Sequence, residues 1–183
     1  VYKRQVYGLP TDCDVELMFY EKTAFEKFGA KVATDPAGHL EAFKALNNDK
    51  ETAKGGGRDL DGDGKIDFWG GYQPWGYGVD PNAWFRGYYA YYGGRLFDED
   101  KKPALMANID VGVKAIEDNI ELAKYGPPGA TEFGWEELVS CFEGHHAGVS
   151  HQCFGAKNVF ARAAQKHGFE LDVAHNPYPA MQI

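Results

Sequence analysis

The chain has 183 residues, with 19 Lys plus Arg against 27 Asp plus Glu, so its formal net charge is −8. That balance excludes a binder of nucleic-acid backbone or of an anionic membrane surface, both of which need clustered cations. Hydrophobic residues make up 44%, enough to fill a core, yet no run approaches the roughly 18 apolar residues of a membrane-spanning helix.

Taken from the start, Val1-Tyr2-Lys3-Arg4-Gln5 resembles the translated end of a library-preparation transposon. Residues 1–5 are therefore expected to be a non-native leader, with native sequence from about Val6. No charged n-region with a following apolar stretch marks a signal peptide. Val15 to Tyr20 reads as a strand, and Thr23 to Phe28 as a short helix stopped by Gly29. Thr34 is a good N-cap with Pro36 in the first turn, and Leu40, Phe43 and Leu46 recur at helical spacing over about 35–47. Residues 48–65 are polar and Gly-rich and read as a loop, with Ile66 to Trp69 as a short strand after it. Residues 71–81 read as irregular, and Asn82 to Tyr92 as a helix crowded with aromatics.

From Ile109 to Tyr125 comes the clearest helical pattern, with Val113, Ile116, Ile120 and Ala123 on one face. Gly126-Pro127-Pro128-Gly129 ends it. Trp135 to Phe142 is the next helix, started near Thr131 or Gly134. Ala147 to His151 reads as a strand, Ala156 to His167 as a helix and Glu170 to Ala174 as a strand. Few strands separated by helices predict an α/β fold rather than an all-β one. Of the three cysteines, Cys141 and Cys153 are the pair that a disulfide would join, leaving Cys13; reduced, partly buried thiols are the favoured reading.

Asp59-Leu60-Asp61-Gly62-Asp63-Gly64-Lys65-Ile66-Asp67 is the sharpest local motif. Asp59, Asp61, Asp63 and Asp67 stand at positions where carboxylates converge on Ca²⁺. Lys65 would offer its carbonyl, Gly64 the tight turn, and Ile66 would pack inward. The bidentate Glu expected three residues past Asp67 is replaced by Gly70, and no helix flanks either side. A structural Ca²⁺ and a solvated acidic turn both fit. No organic cofactor is implied. His145, His146 and His151, beside Cys141 and Cys153, invite a zinc reading, but their spacing fits no zinc rule, and exposed imidazoles at a strand edge are the favoured reading.

Aromatic residues are abundant, with 4 Trp, 11 Tyr and 12 Phe, and they concentrate between Phe68 and Phe97. Such rings stack on the C–H faces of sugars. Most are expected to be core, with Trp75 and Trp84 the candidates for a ligand cleft. A glycosidase reading uses Asp12, Asp14 and Glu16 as paired acid and base, with Asp14 and Glu16 on one strand face.

Several segments, in order, resemble one family. They are Tyr7-Gly8-Leu9-Pro10-Thr11-Asp12 through Tyr20-Glu21-Lys22 and Phe25-Glu26-Lys27-Phe28-Gly29; Ala90-Tyr91-Tyr92-Gly93-Gly94-Arg95-Leu96-Phe97-Asp98; Tyr125-Gly126-Pro127-Pro128-Gly129-Ala130 with Trp135-Glu136-Glu137 and Phe142-Glu143-Gly144; and Leu171-Asp172-Val173 through Pro177. They resemble the extracellular sugar-binding proteins of ABC importers, solute-binding protein family 1, the group that includes the maltose-binding protein. Residues 6–179 carry the likeness, leaving 180–183 as a cut end.

The resemblance implies one lobe, mostly the second, of an α/β periplasmic-binding-protein-like bilobed fold that hinges shut on its ligand. It implies a monomer, periplasmic or held outside the cell by a lipid, that passes carbohydrate to the transmembrane subunits of an ABC permease. By position it implies Asp12 and Asp14 as carboxylates for sugar hydroxyls, Trp84 as an aromatic platform, and Phe154 with Gln152 as another part of the cleft. His145-His146-Ala147-Gly148 departs from the family's usual segment, so the sugar stays unassigned.

Overall fold

The structure is a computed structural model and describes residues 16–48, 56–71 and 80–175. Its elements are β1 (Glu16–Glu21), α1 (Lys22–Phe28), α2 (Pro36–Asn47), β2 (Trp69–Gly71), α3 (Asp80–Tyr91), α4 (Ile109–Ala123), α5 (Trp135–Glu143), β3 (Ala147–Cys153), α6 (Lys157–His167) and β4 (Leu171–His175). The strands lie in the order β2-β3-β1-β4. β1 is antiparallel to both β3 and β4, and β2 runs parallel to β3. The α/β expectation therefore holds.

Between Glu16 and Glu21, β1 is the apolar run Leu17-Met18-Phe19-Tyr20 because helices cover the sheet on both faces. Met18 and Tyr20 enter one core with Phe43, Leu46, Tyr88, Tyr89 and Leu122, from α2, α3 and α4. Phe19 enters the other, with Leu138, Phe142 and Phe160, from α5 and α6. The period of two along a strand sends successive residues to opposite faces.

Helix ends follow the local chemistry. Gly29 ends α1 at φ 71, a left-handed conformation in which a Cβ would be strained. α2 is capped by Asp35, whose Oδ1 accepts the Gly38 N–H at 2.6 Å, with Pro36 at the first helical position. This corrects Thr34: proline prefers the first helical position, so the residue just before it is the cap. α5 starts after Gly134, whose N–H donates to the Glu137 carboxylate at 3.0 Å.

Two further expectations need correction. The short strand is Trp69–Gly71, not 66–69. Gly70 fits because a Cβ there would lie 2.5 Å from the Phe43 carbonyl oxygen, so the strand seats its backbone directly on α2. In α4 the buried face is Gly112, Ala115, Asn119 and Leu122, whereas Val113, Ile116 and Ile120 are exposed. The small residues win the inward face because they let α4 approach the rings of Phe85 and Tyr89, both within 4 Å of a Cβ at Gly112. Cys141 and Cys153 are not joined by a disulfide.

Candidate functional site

Antiparallel pairing of β1 with β3 sets Glu16 opposite Cys153 and Leu17 opposite Gln152. The beginning of β1 and the end of β3 thus share one end of the sheet. Gln152 is only 2% exposed, and its Oε1 has no hydrogen-bond partner among the described residues. Phe154 opens the helical turn Phe154–Ala156 that leads into α6. Trp84 lies in α3. Asp12, Asp14 and Trp75 fall outside the described residues, as does the Glu16 side chain.

The other aromatics divide between core and surface. Phe68, Tyr88 and Tyr89 are fully buried, while Tyr91 and Phe97 are exposed. Tyr92 donates to Asp118 at 2.5 Å. Burial, then Asp118, pushes the Tyr92 phenol well up.

The acidic loop is closed at its base by a bridge between Arg58 and Phe68. The Arg58 N–H donates to Phe68 O at 2.7 Å, and the Phe68 N–H returns to Arg58 O at 3.0 Å. The Arg58 guanidinium clamps the C-terminus of α2, donating to Leu46 O at 2.7 Å and Ala45 O at 2.6 Å. It also lies 3.9 Å from the centre of the Phe28 ring. A cation at those carbonyls complements the negative end of the helix.

Within the loop, ligand oxygens of Asp59, Asp61 and Asp63 all lie within 4.8 Å of one another. Gly64 makes the tight turn at φ 87. The Asp59 carboxylate accepts N–H groups from Gly62 at 2.6 Å, Asp63 at 3.2 Å and Gly64 at 2.8 Å. The Gly64 N–H, ahead of those of Gly62 and Asp63, holds the Asp59 carboxyl below its usual range. Lys65 brings Nζ to the Asp63 carboxylate at 3.0 Å. Asp67 turns away, accepting the Leu60 N–H at 3.2 Å. Ile66 was expected to pack inward and is instead 44% exposed. Three of the four expected carboxylates therefore converge, and backbone N–H groups together with Lys65 already offset their charge.

The histidines do not gather around a metal position among the described residues. His145 Nε2 meets the buried Glu21 carboxylate at 2.9 Å. The His146 Nδ1–H donates to Asp67 O at 2.8 Å. His151 of β3 faces His39 of α2, Nε2 to Nε2 at 2.8 Å, and His39 Nδ1 reaches the Tyr88 hydroxyl at 3.0 Å. This buried line of two imidazoles and a phenol was not visible in the sequence, since its members sit on α2, α3 and β3. One proton bridges the facing nitrogens, so the two rings cannot both be cations. Burial, then His151, holds His39 well below the usual imidazole range.

Comparison with known proteins bears on what this arrangement serves. Residues 1–177 match the family model described as bacterial extracellular solute-binding protein. The fold is similar to an ABC transporter solute-binding protein of Agrobacterium radiobacter K84 in complex with ribitol. That similarity has a TM-score of 0.73 and 20% identity, over 95% of this chain and 41% of the other. A solute-binding protein of Thermotoga lettingae TMO bound with alpha-D-tagatose gives a TM-score of 0.68 at 17% identity, over 91% and 40%. A sugar transporter protein of Arthrobacter chlorophenolicus A6 with bound laminaribiose gives 0.59 at 27%, over 88% and 36%. None of the curated proteins compared matches in sequence. The chain thus spans about two fifths of the length of the structures it matches. Its fold is one lobe of their bilobed architecture, and the chain belongs to the bacterial extracellular solute-binding protein family.

Proposed function

We propose that this chain supplies one lobe of an ABC importer's carbohydrate- or polyol-binding protein, which closes on its ligand and delivers it to the permease. The protein works outside the cytoplasm, periplasmic or tethered by a lipid, as a monomer and without turnover of its ligand. Asp12 and Asp14 accept from ligand hydroxyls, Trp84 and Trp75 stack on the carbon skeleton, and Gln152 and Phe154 complete this half of the cleft.

The observation that carries the reading is the register of the sheet. Glu16 pairs with Cys153, so the start of β1 and the end of β3, where Gln152 lies, meet at one end of the sheet. In the sequence Asp12 and Asp14 stand just before Glu16, and Phe154 directly follows Cys153. The orphaned Gln152 Oε1 adds to it. A buried acceptor without a donor costs about 1–3 kcal/mol, and a ligand hydroxyl is such a donor. The experiment is calorimetric titration of the full-length parent protein with a panel of polyols and oligosaccharides, ribitol and laminaribiose among them. Trp84→Ala is expected to weaken binding by about 1–3 kcal/mol, the range seen for other ring stacking. No binding by any panel member would overturn the reading. Release of product, lost in Asp14→Asn, would replace it with a glycosidase.

For the acidic loop we propose weak, structural Ca²⁺ binding, through Asp59, Asp61 and Asp63, in the millimolar class of extracellular modules. The convergent oxygens support a cation. Strong binding is opposed by Gly70, whose backbone is pressed on Phe43, so no bidentate carboxylate fits at that position.

A further inference from the structure

We infer that the exposed stripe of α4 is the seat of a helix from the part of the bilobed fold outside these 183 residues. The inference rests on the one-lobe reading. Its starting point is a helix with two apolar sides. Gly112, Ala115, Asn119 and Leu122 are buried against this lobe. A second row, Ile109, Val113, Ile116 and Ile120, is 52%, 49%, 45% and 52% exposed. Met106, 75% exposed, precedes it in the helical turn Leu105–Asn108. Single exposed apolar residues are ordinary, whereas a continuous row of branched aliphatics marks a contact surface. A helix apolar on two sides is packed on two sides.

The spacing identifies the shape of the occupant. From Ile109 the steps are four, three and four residues, the alternation that takes knobs from a second helix into holes. Beside this seam, on its solvent side, Asp110 and Glu117 recur one heptad apart and are exposed. The seated helix is therefore amphipathic, with an apolar stripe and Lys or Arg facing Asp110 and Glu117.

Its source follows from length. This chain uses 95% of itself to match 41% of the Agrobacterium radiobacter protein, and 91% to match 40% of the Thermotoga lettingae one. More than half of such a fold lies outside this chain. A segment of the same polypeptide acts at high effective concentration, ahead of a second copy or a separate partner.

Cysteine protection tests this. Val113→Cys and Ile120→Cys are made in the present chain and in its full-length parent, with exposed Glu99→Cys as control. Maleimide labelling is then read by peptide mass. Both probes are expected to label at the control rate in the present chain, and at least about tenfold more slowly in the parent, where local opening limits access. Ile116→Glu is expected to lower the melting temperature of the parent by several degrees and leave that of the present chain unchanged.

Control-rate labelling in the parent overturns the inference. Protection in the present chain that grows with concentration, with a dimer in sedimentation, overturns it in favour of a second copy. Titrating the same parent with ribitol, mannitol and laminaribiose separates the two levels. Sugar binding with an unprotected stripe sinks the docked helix alone. A gene encoding no further chain sinks the one-lobe reading with it.

Discussion

On one face of the sheet Phe19 meets Phe160 with ring centroids 5.1 Å apart, and Phe142 meets Phe160 at 4.6 Å. Ser150 and Gln152, paired with Phe19 and Leu17, carry no ionisable group, while the buried Glu21, two residues past Phe19, meets His145. On the other face Met18 and Tyr20 share their core with Tyr88, which bonds the imidazole line of His39 and His151. Both faces bury large side chains on the same two central strands. The ring cluster of the first, Phe19, Phe142 and Phe160, holds by area and ring geometry and carries no titratable group, so its contribution is indifferent to pH. The second includes a group that must stay neutral to stay buried, so its contribution depends on pH.

The largest expected effect comes from the pH-indifferent ring cluster. Phe160→Ala removes a fully buried ring that two other rings touch, and is expected to cost about 3–5 kcal/mol of unfolding free energy. Urea unfolding should show the same loss at pH 8 and pH 5.5. A loss that changed by half between the two would mean the faces are coupled, and the contrast between them would fail.

The imidazole line supplies the next effect. His39 has its folded pKa depressed by burial, then by His151. The unfolded chain therefore takes up the proton first, near the ordinary imidazole value of about 6.5. Stability is full above that pH and falls as the pH drops below it, by up to about 1.4 kcal/mol per unit, until the folded pKa is reached. His167, held low by burial and then by His145, adds to the same slope. The discriminating measurement is thus a difference. His39→Leu should lower stability at pH 8 by about 1–3 kcal/mol, because Tyr88 and His151 lose a partner. It should also flatten the slope between pH 8 and pH 5.5. An unchanged slope would remove His39 as its source.

How much of this was readable in advance differs by element. β1 and the helices were legible because their apolar spacing is local. Pro36 also held the information to choose Asp35 over Thr34 as cap. β2 was misplaced because glycines in a strand run against propensity; what admits Gly70 is the closeness of Phe43. α4 was recognised, but the face was wrong. Periodicity finds an apolar row and cannot say which neighbour it meets, and here the small residues took the inward side. The imidazole line joins His39 to residues 49 and 112 positions away, beyond any local pattern. The same holds for Glu16, which pairs with Cys153 across the sheet.

Asp35 tests whether the imidazole line depends on where its helix starts. It accepts the Gly38 N–H at 2.6 Å, one residue before His39. Asp35→Ala is expected to cost about 0.5–2 kcal/mol, the ordinary worth of a cap. Thermal unfolding at pH 8 measures the cost, and repeating it at pH 5.5 shows whether the slope survives. A cap that only nucleates α2 lowers both values equally. A slope lost along with the cap would mean that small shifts of α2 break the His39–His151 contact.

The smallest effect is expected at the acidic loop, which hangs from the Arg58–Phe68 bridge at the edge of the pH-sensitive face. Asp61 is exposed and accepts one N–H, from Asp63 at 3.1 Å. Removing it relieves some repulsion and forfeits one loop contact, while Arg58 still ties the base to α2. Asp61→Ala should therefore leave the melting temperature in chelator unchanged. It should abolish any rise that millimolar Ca²⁺ produces in the unaltered chain, since two convergent carboxylates do not hold an ion that three hold weakly. Calcium heats at micromolar concentration, or a large loss of stability in chelator, would show that the cation orders this edge of the sheet and does more than decorate it.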